Sequence, residues 1–438
     1  MKRLLLALLL LILPLPALAA PVQVVTSPKG VTAWLVEDHS NPLIAVSLLF
    51  RGGGAAADPA DKAGLATFAS GMLDEGAAGM DSRAFQDRLD ALNVSMSFSA
   101  ARDSFSGEML TLSAHRAEAF ALLRDALSKP HFDAEPLERM RAVFLTRLRQ
   151  RQENPGARAS EALFAALFPD HPYGRPTAGT AAGIAAVTAA DLHAFARSRF
   201  TRDRLIVGVV GDISAAELAP LLDAAFGGLP ATSPLPPVAA VKPALSGRML
   251  TVEMPVPQAV AIFAQAGPGR ADPDWLPFQV MMYVLGDGGF SSRLTAEVRE
   301  KRGLAYGVDA GSLPLAHAPL VAGSVGTQTA KIGESVSIIR AEWEKMRAHG
   351  ATAEEVEKAK SFLAGSLPLR LNSSPAIAGT LTALLYYHLP PDELDHRAAA
   401  IAAVTQADVA RVAAKWLTPD KLTFAIAGET AKMHLDAK

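Results

Sequence analysis

The 438-residue chain has no cysteine, which excludes disulfides, thiol catalysis and cysteine-held metal. Its ten histidines form no His-x-x-x-His pair, so no helix turn offers two imidazoles to one ion. Gly52 to Gly54 lacks the Lys-Ser/Thr ending of a phosphate loop. Ser, His and Asp occur, but no nucleophile elbow frames them. Charge of either sign is not in excess: 42 Lys and Arg stand against 44 Asp and Glu. That balance argues against nucleic acid and anionic membrane as general partners. Beyond the first twenty residues no apolar run is long enough to cross a bilayer, so no transmembrane anchor is expected.

The N-terminus has its own character. Lys2 and Arg3 precede an apolar run over 4–13, Pro14 and Pro16 break it, and Ala17-Leu18-Ala19 supplies small residues for cleavage. The pattern predicts a secretory signal peptide over 1–19. Without Lys2 and Arg3 the balance is 40 basic against 44 acidic residues, a formal charge of −4. Export of a cysteine-free chain fits a bacterial periplasm or exterior, and the periplasm is the expected location.

Short apolar runs at 31–37, 43–50 and 205–210 and alternating runs at 94–100 and 105–112 predict strands. Helical periodicity covers about 64–72, 82–92, 116–127, 134–152, 158–167 and 189–198. Residues 227–243 are Pro-rich, poor in charge and without either period, as an extended linker should be. Beyond them the order repeats. Ala186-Val187-Thr188-Ala189-Ala190-Asp191-Leu192 returns as Ala403-Val404-Thr405-Gln406-Ala407-Asp408-Val409. The strand ending at Gly211-Asp212 returns before Gly428-Glu429, and the run over 259–264 echoes 43–50. Strands and helices do not alternate singly, which disfavours a doubly wound parallel sheet. The expectation is α+β, with two homologous domains, each a mainly antiparallel sheet with helices on one face. Their bounds are 20–226 and 248–438, joined by a linker over 227–247.

The most informative stretch runs from Gly288 to Tyr306, GGFSSRLTAEVREKRGLAY. Ser291 and Ser292 are N-cap types, Glu297 precedes Lys301 by four, and Gly303 is a stop signal, predicting a short helix over about 292–302. Arg293 in its first turn and Tyr306 beyond its end could grip a peptide carbonyl or a developing oxyanion. The alternative is an exposed Arg and a half-buried Tyr on a surface helix.

This layout resembles the pitrilysin or insulinase-like zinc peptidases, and in particular the two-domain subunits typified by mitochondrial processing peptidase. In that family a Gly-Leu-Ala lead precedes His-x-x-Glu-His, whose His residues bind zinc while the Glu acts as general base; a further Glu downstream completes the ligands. Here the lead stands as Gly64-Leu65-Ala66. Thr67 and Gly71 occupy the His positions, Ser70 the Glu position, and Arg147 the downstream ligand position. The resemblance therefore implies an inactive member with no metal and no cofactor of its own. Asp74 and Glu75, just beyond, read as a solvated helix end. The family's Arg-Tyr pair, which holds the substrate carbonyl opposite the zinc, maps in this reading onto Arg293 and Tyr306. The expected function is a non-catalytic, substrate-binding subunit of a heterodimeric secreted zinc peptidase. A homologous sister chain would supply the zinc, and an unfolded peptide would pair with an exposed strand edge around 94–100. The alternatives are a structural scaffold, a stand-alone peptide-binding or chaperone-like protein, and an enzyme with an unrelated site.

Overall fold

The computed structural model describes residues 21–435; the expected signal peptide lies outside them. The first half opens with strands β1 (Gln23–Thr26), β2 (Thr32–Glu37) and β3 (Leu43–Arg51). Helices α1 (Leu65–Ser70) and α2 (Ser82–Ala91) follow, then the hairpin β4 (Ser95–Ala100) and β5 (Ser104–Leu112). Next come helices α3 (Arg116–Ser128), α4 (Ala134–Gln152), α5 (Pro155–Leu167), α6 (Ala181–Ala186) and α7 (Ala189–Arg199). Strand β6 (Leu205–Gly211) and helix α8 (Ala215–Phe226) close the half.

No helix or strand lies between Phe226 and Met249. This connection is tied to both sides by its backbone: Arg202 and Asp203 donate to the carbonyls of Pro230 and Ala231, and Val241 donates to His317. The second half comprises β7 (Met249–Glu253), β8 (Gln258–Ala266), α9 (Trp275–Met282), β9 (Ala305–Leu313) and β10 (Leu320–Gln328). Helices α10 (Ile332–His349), α11 (Ala353–Gly365), α12 (Ser374–Tyr386), α13 (Glu393–Ala402) and α14 (Gln406–Trp416) precede β11 (Thr423–Gly428).

The duplication read from sequence is explicit in the sheets. The first runs β1-β2-β6-β3-β5-β4 and the second β7-β11-β8-β10-β9, so five strands correspond in order. Each sheet is antiparallel apart from one parallel pair, β2 with β6 and β7 with β11, plus β1 as an extra edge in the first. The repeated Thr-x-x-Asp is a capping box in both places: Thr188 caps α7 with Asp191, and Thr405 caps α14 with Asp408.

One feature goes beyond the expected single helical face. Helix α5 belongs to the first half by sequence, yet Ala159, Leu163 and Leu167 pack on the second sheet with Ala264, Ala425 and Ala427. Helix α12 reciprocates, burying Ala378, Leu381 and Leu384 against Trp34, Val36, Ala45 and Val210 of the first sheet. Gly208 of β6 permits this approach, since a Cβ there would lie 2.6 Å from the Ala378 carbonyl oxygen. Each half thus lends the other a cover for its second sheet face.

Candidate functional site

Helix α1 carries the degenerate metal motif. Gly64 holds its N-terminus in a left-handed conformation, φ 102°, which other residues adopt with difficulty. Asp58 accepts from the amides of Gly64 and Ala66, and is paired at 2.9 Å with Arg199, both side chains being almost wholly buried. The scaffold around the motif is therefore firmly built; the ligands are what it lacks. Thr67 donates to the Thr177 carbonyl at 2.7 Å, and Ser70 to the Thr67 carbonyl at 2.8 Å. Beside Gly71 stands Phe144 of α4, whose ring would lie 2.9 Å from any Cβ at that position. Phe144 also meets Phe68 edge-on, with ring centroids 5.3 Å apart. Arg147, one turn further along α4, lies over the Phe144 ring at 5.3 Å. A zinc ion does not fit these residues. A guanidinium repels a dication, Thr and Ser are poor ligands, and aromatic carbon stands against the second imidazole's position. Among the described residues no group of three His, Asp or Glu could hold a metal ion elsewhere.

Asp74 and Glu75 are not the solvated helix end that the sequence suggested. Asp74 is half-buried and accepts from Gln86, and Glu75 pairs with Arg139 of α4. Burial raises the Asp74 carboxyl above its ordinary value, with Glu75 as a like-charged neighbour. Asp74 ties the end of the motif to α2, and Glu75 ties it to α4.

In the second half the 288–306 stretch forms a short 3-10 turn over Gly289–Ser291, then a helix whose main part, Thr295–Glu300, has the wider π spacing. Ser292 caps it, accepting from the Thr295 amide, and Lys301 pairs with Glu297 as the spacing predicted. Lys301 and Arg302 together hold the Glu297 carboxyl down to about 2.

The structure corrects the expected role of Arg293. Its fork is already filled: Nε and Nη2 each donate to Glu355 at 2.7 Å, and Nη2 also reaches the Gly350 carbonyl. The guanidinium lowers the Glu355 carboxyl to about 2. Arg293 thereby fastens the start of this segment to α11, and the bidentate pair occupies the Nε–Nη2 edge that would otherwise grip a substrate. The cation beside Tyr306 is Arg299, whose guanidinium carbon lies 4.8 Å from the Tyr306 ring centroid and 4.5 Å from that of Phe290. Tyr306 is 88% exposed and Phe290 68%. Arg299 makes no ion pair or side-chain hydrogen bond with another described residue, and its guanidinium stands between two aromatic rings. The sequence held this signal: Arg299 precedes Tyr306 by seven residues, across one helix end and one turn. It was hidden because an ordinary 3.6-residue helix gave no reason to prefer it to Arg293. π-helical turns concentrate at functional sites in proteins.

The expected edge is in place. Strand β4 ends its sheet, paired only with β5, and α1 lies against it. Ser95, Ser97 and Ser99 are exposed along it while Met96 is buried.

Known proteins agree with this picture. Residues 33–181 match the family described as Insulinase (Peptidase family M16), and residues 186–363 match Peptidase M16 inactive domain. A non-peptidase homologue of Helicobacter pylori is 27% identical over 356 residues, covering 81% of this chain and 82% of that protein. An uncharacterized zinc protease of Streptomyces coelicolor is 30% identical over 301 residues, 67% of this chain and 65% of its own length. The crystal structure of a peptidase M16 inactive domain from Pseudomonas fluorescens superposes with a TM-score of 0.87 at 29% identity, covering 93% of this chain and 98% of that one. The two matched regions together span most of residues 33–363, and the side chains at the motif explain why the described residues hold no metal centre. The chain belongs to the insulinase-like peptidase family M16, as an inactive member.

Proposed function

We propose that this chain is the non-catalytic, substrate-binding subunit of a secreted, two-chain zinc peptidase. A homologous sister chain supplies the zinc and the attacking water; this chain supplies Arg299 and Tyr306 to the substrate carbonyl. The observation that carries the reading is the pairing of an unengaged guanidinium with an exposed phenol in one half, while the other half keeps the motif's scaffold without its ligands. Donors placed beforehand at a developing oxyanion stabilise the transition state more than the ground state. The β4 edge gives an extended peptide a row of backbone partners. The signal peptide expected from the sequence supports the periplasm as the location of the pair. The scaffold alternative is less well supported, because a purely structural subunit has no use for two large aromatic side chains in water around a free arginine.

The test is turnover by the assembled pair. Arg299→Ala or Tyr306→Phe should lower it roughly a hundredfold to a thousandfold, with assembly and the sister's zinc intact. Arg299→Lys should rescue poorly, since a point charge cannot reproduce the planar fork. Arg293→Ala should lower thermal stability and leave the turnover of the folded fraction much closer to normal. A stable, assembled and fully active Arg299→Ala/Tyr306→Phe double variant would leave this chain as a scaffold.

A further inference from the structure

A cavity of about 630 Å³ opens where the metal motif and α4 meet the start of α5. Phe144 forms apolar wall; Thr67, Gln150, Ser160, Arg147 and Arg151 supply its polar groups, and no acidic residue lines it. The two guanidinium groups differ. Arg151 is paired with Glu161 at 3.0 Å. Arg147 makes no ion pair with any described residue, and its contact is the Phe144 face. Gln150 and Ser160 likewise make no side-chain hydrogen bond to another described residue, so both have donors free for a ligand. The position that a metal-binding relative would give to an anionic ligand carries a cation here, and the electrostatic preference of the pocket is inverted.

We propose that this cavity is a carboxylate subsite, in which Arg147 selects peptides bearing an acidic side chain or a free C-terminus. The proposal rests on the peptide-binding reading and adds a substrate class to it. Thr67 belongs both to the cavity wall and to α1, which lies against the β4 edge. A peptide extended along β4 therefore passes the cavity, and its side chains on one face point to the same side at every second residue. Phe144 beneath Arg147 holds the guanidinium as a flat, weakly hydrated donor, the form that suits a planar carboxylate.

The test uses the mature chain alone and fluorescein-labelled unstructured peptides of one sequence, carrying Asp or Asn at a central position and a free or an amidated C-terminus. Fluorescence anisotropy should show the carboxylate-bearing member of one pair binding roughly three- to tenfold tighter, less so as salt rises. Whichever pair shows the preference identifies side chain or terminus as the source. Arg147→Gln should abolish the preference, and Arg147→Glu should turn it towards a Lys peptide. Arg147 is exposed, so these variants should fold, which melting curves check. Equal preference in wild type and Arg147→Gln overturns the proposal. If no peptide binds, the peptide-binding reading fails and N-acetyl-aspartate amide decides the subsite alone. Its chemical-shift titration should be lost in Arg147→Gln; an unchanged titration, or none in wild type, overturns the proposal.

Discussion

The two halves fasten an acidic residue to corresponding helices, α7 and α14, and they do so with opposite electrostatics. In the first, Asp58 lies between β3 and α1 and meets Arg199 at the end of α7. In the second, Asp274 lies between β8 and α9 and meets Arg411, Lys415 and Trp416 at the end of α14. Asp58 and Arg199 are 1% and 3% exposed, whereas Arg411 and Lys415 are about half exposed. Desolvation outweighs the guanidinium at Asp58 and raises its carboxyl above the ordinary value. At Asp274 the hydrogen bonds from Lys415 and Arg411 outweigh burial and hold the carboxyl far below it. The same tie inherited twice is thus a costly buried pair in one half and a hydrated network in the other. The buried version stands directly behind the degenerate motif, where Asp58 also holds the amides that begin α1. The first half has kept the most demanding part of its support while losing the ligands that part would position.

The sharpest way to break this comparison is to remove each acid. Asp58→Ala leaves Arg199 buried without a counter-ion, with only the carbonyls of Gly53, Gly54 and Ala57, and should destabilise the chain by about 3–5 kcal/mol. Asp274→Ala leaves two cations that can turn into water, and should have a distinctly smaller effect, about 1–2 kcal/mol. Denaturant titration of both variants checks the ranking. Equal losses would mean that burial does not separate the two ties.

The exchange of α5 and α12 supplies the next test. Leu163 and Leu381 are both fully buried, each on the sheet of the other half. Leu163→Ala and Leu381→Ala should each cost about 2–4 kcal/mol. Because each half's cover belongs to the other, either change should shift a single cooperative transition. Calorimetry showing two transitions, with only one displaced by each variant, would mean that the halves unfold separately.

Much of this architecture was legible because it rests on local chemistry. The capping boxes at Thr188 and Thr405, the bounds of α4 at Ala134 and Gln152, and the edge strand β4 follow from residue type and period alone. So did the loss of the metal site, since Thr67, Ser70, Gly71 and Arg147 speak for themselves. What the sequence did not disclose was spatial. The apolar stripe Ala159, Leu163 and Leu167 says that α5 is buried, but not against which sheet. Asp74 and Glu75 find their partners in α2 and α4, Gln86 twelve residues from Asp74 and Arg139 sixty-four from Glu75. Arg293 looked free because Glu355, sixty-two residues on, is invisible to a local reading. Arg299 was passed over because an ordinary helix over 292–302 gave no reason to prefer it to Arg293, and the π spacing over Thr295–Glu300 is visible only in the structure.

The smallest expected effect separates Arg293 from Arg299 without any partner protein. Glu355 has its carboxyl lowered from 4.5 to about 2, chiefly by the hydrogen bonds from Arg293. A carboxyl depressed in the folded chain contributes stability that is complete above pH 4.5 and lost as the pH falls towards 2. The pair is partly solvated, so screening reduces its contribution to about 1 kcal/mol. Glu355→Gln should therefore lie about that far below wild type at pH 6, and the gap should close between pH 4.5 and 2. Arg293→Ala should show the same closing gap, because it removes the other end of the same pair. Arg299→Ala should show none, because its guanidinium meets aromatic rings that carry no charge in this range. Denaturant titrations of the four proteins at pH 6, 4.5, 3 and 2.5 decide it. A pH-independent gap for Arg293→Ala would free its fork from Glu355 in solution and return it to the candidates for holding substrate.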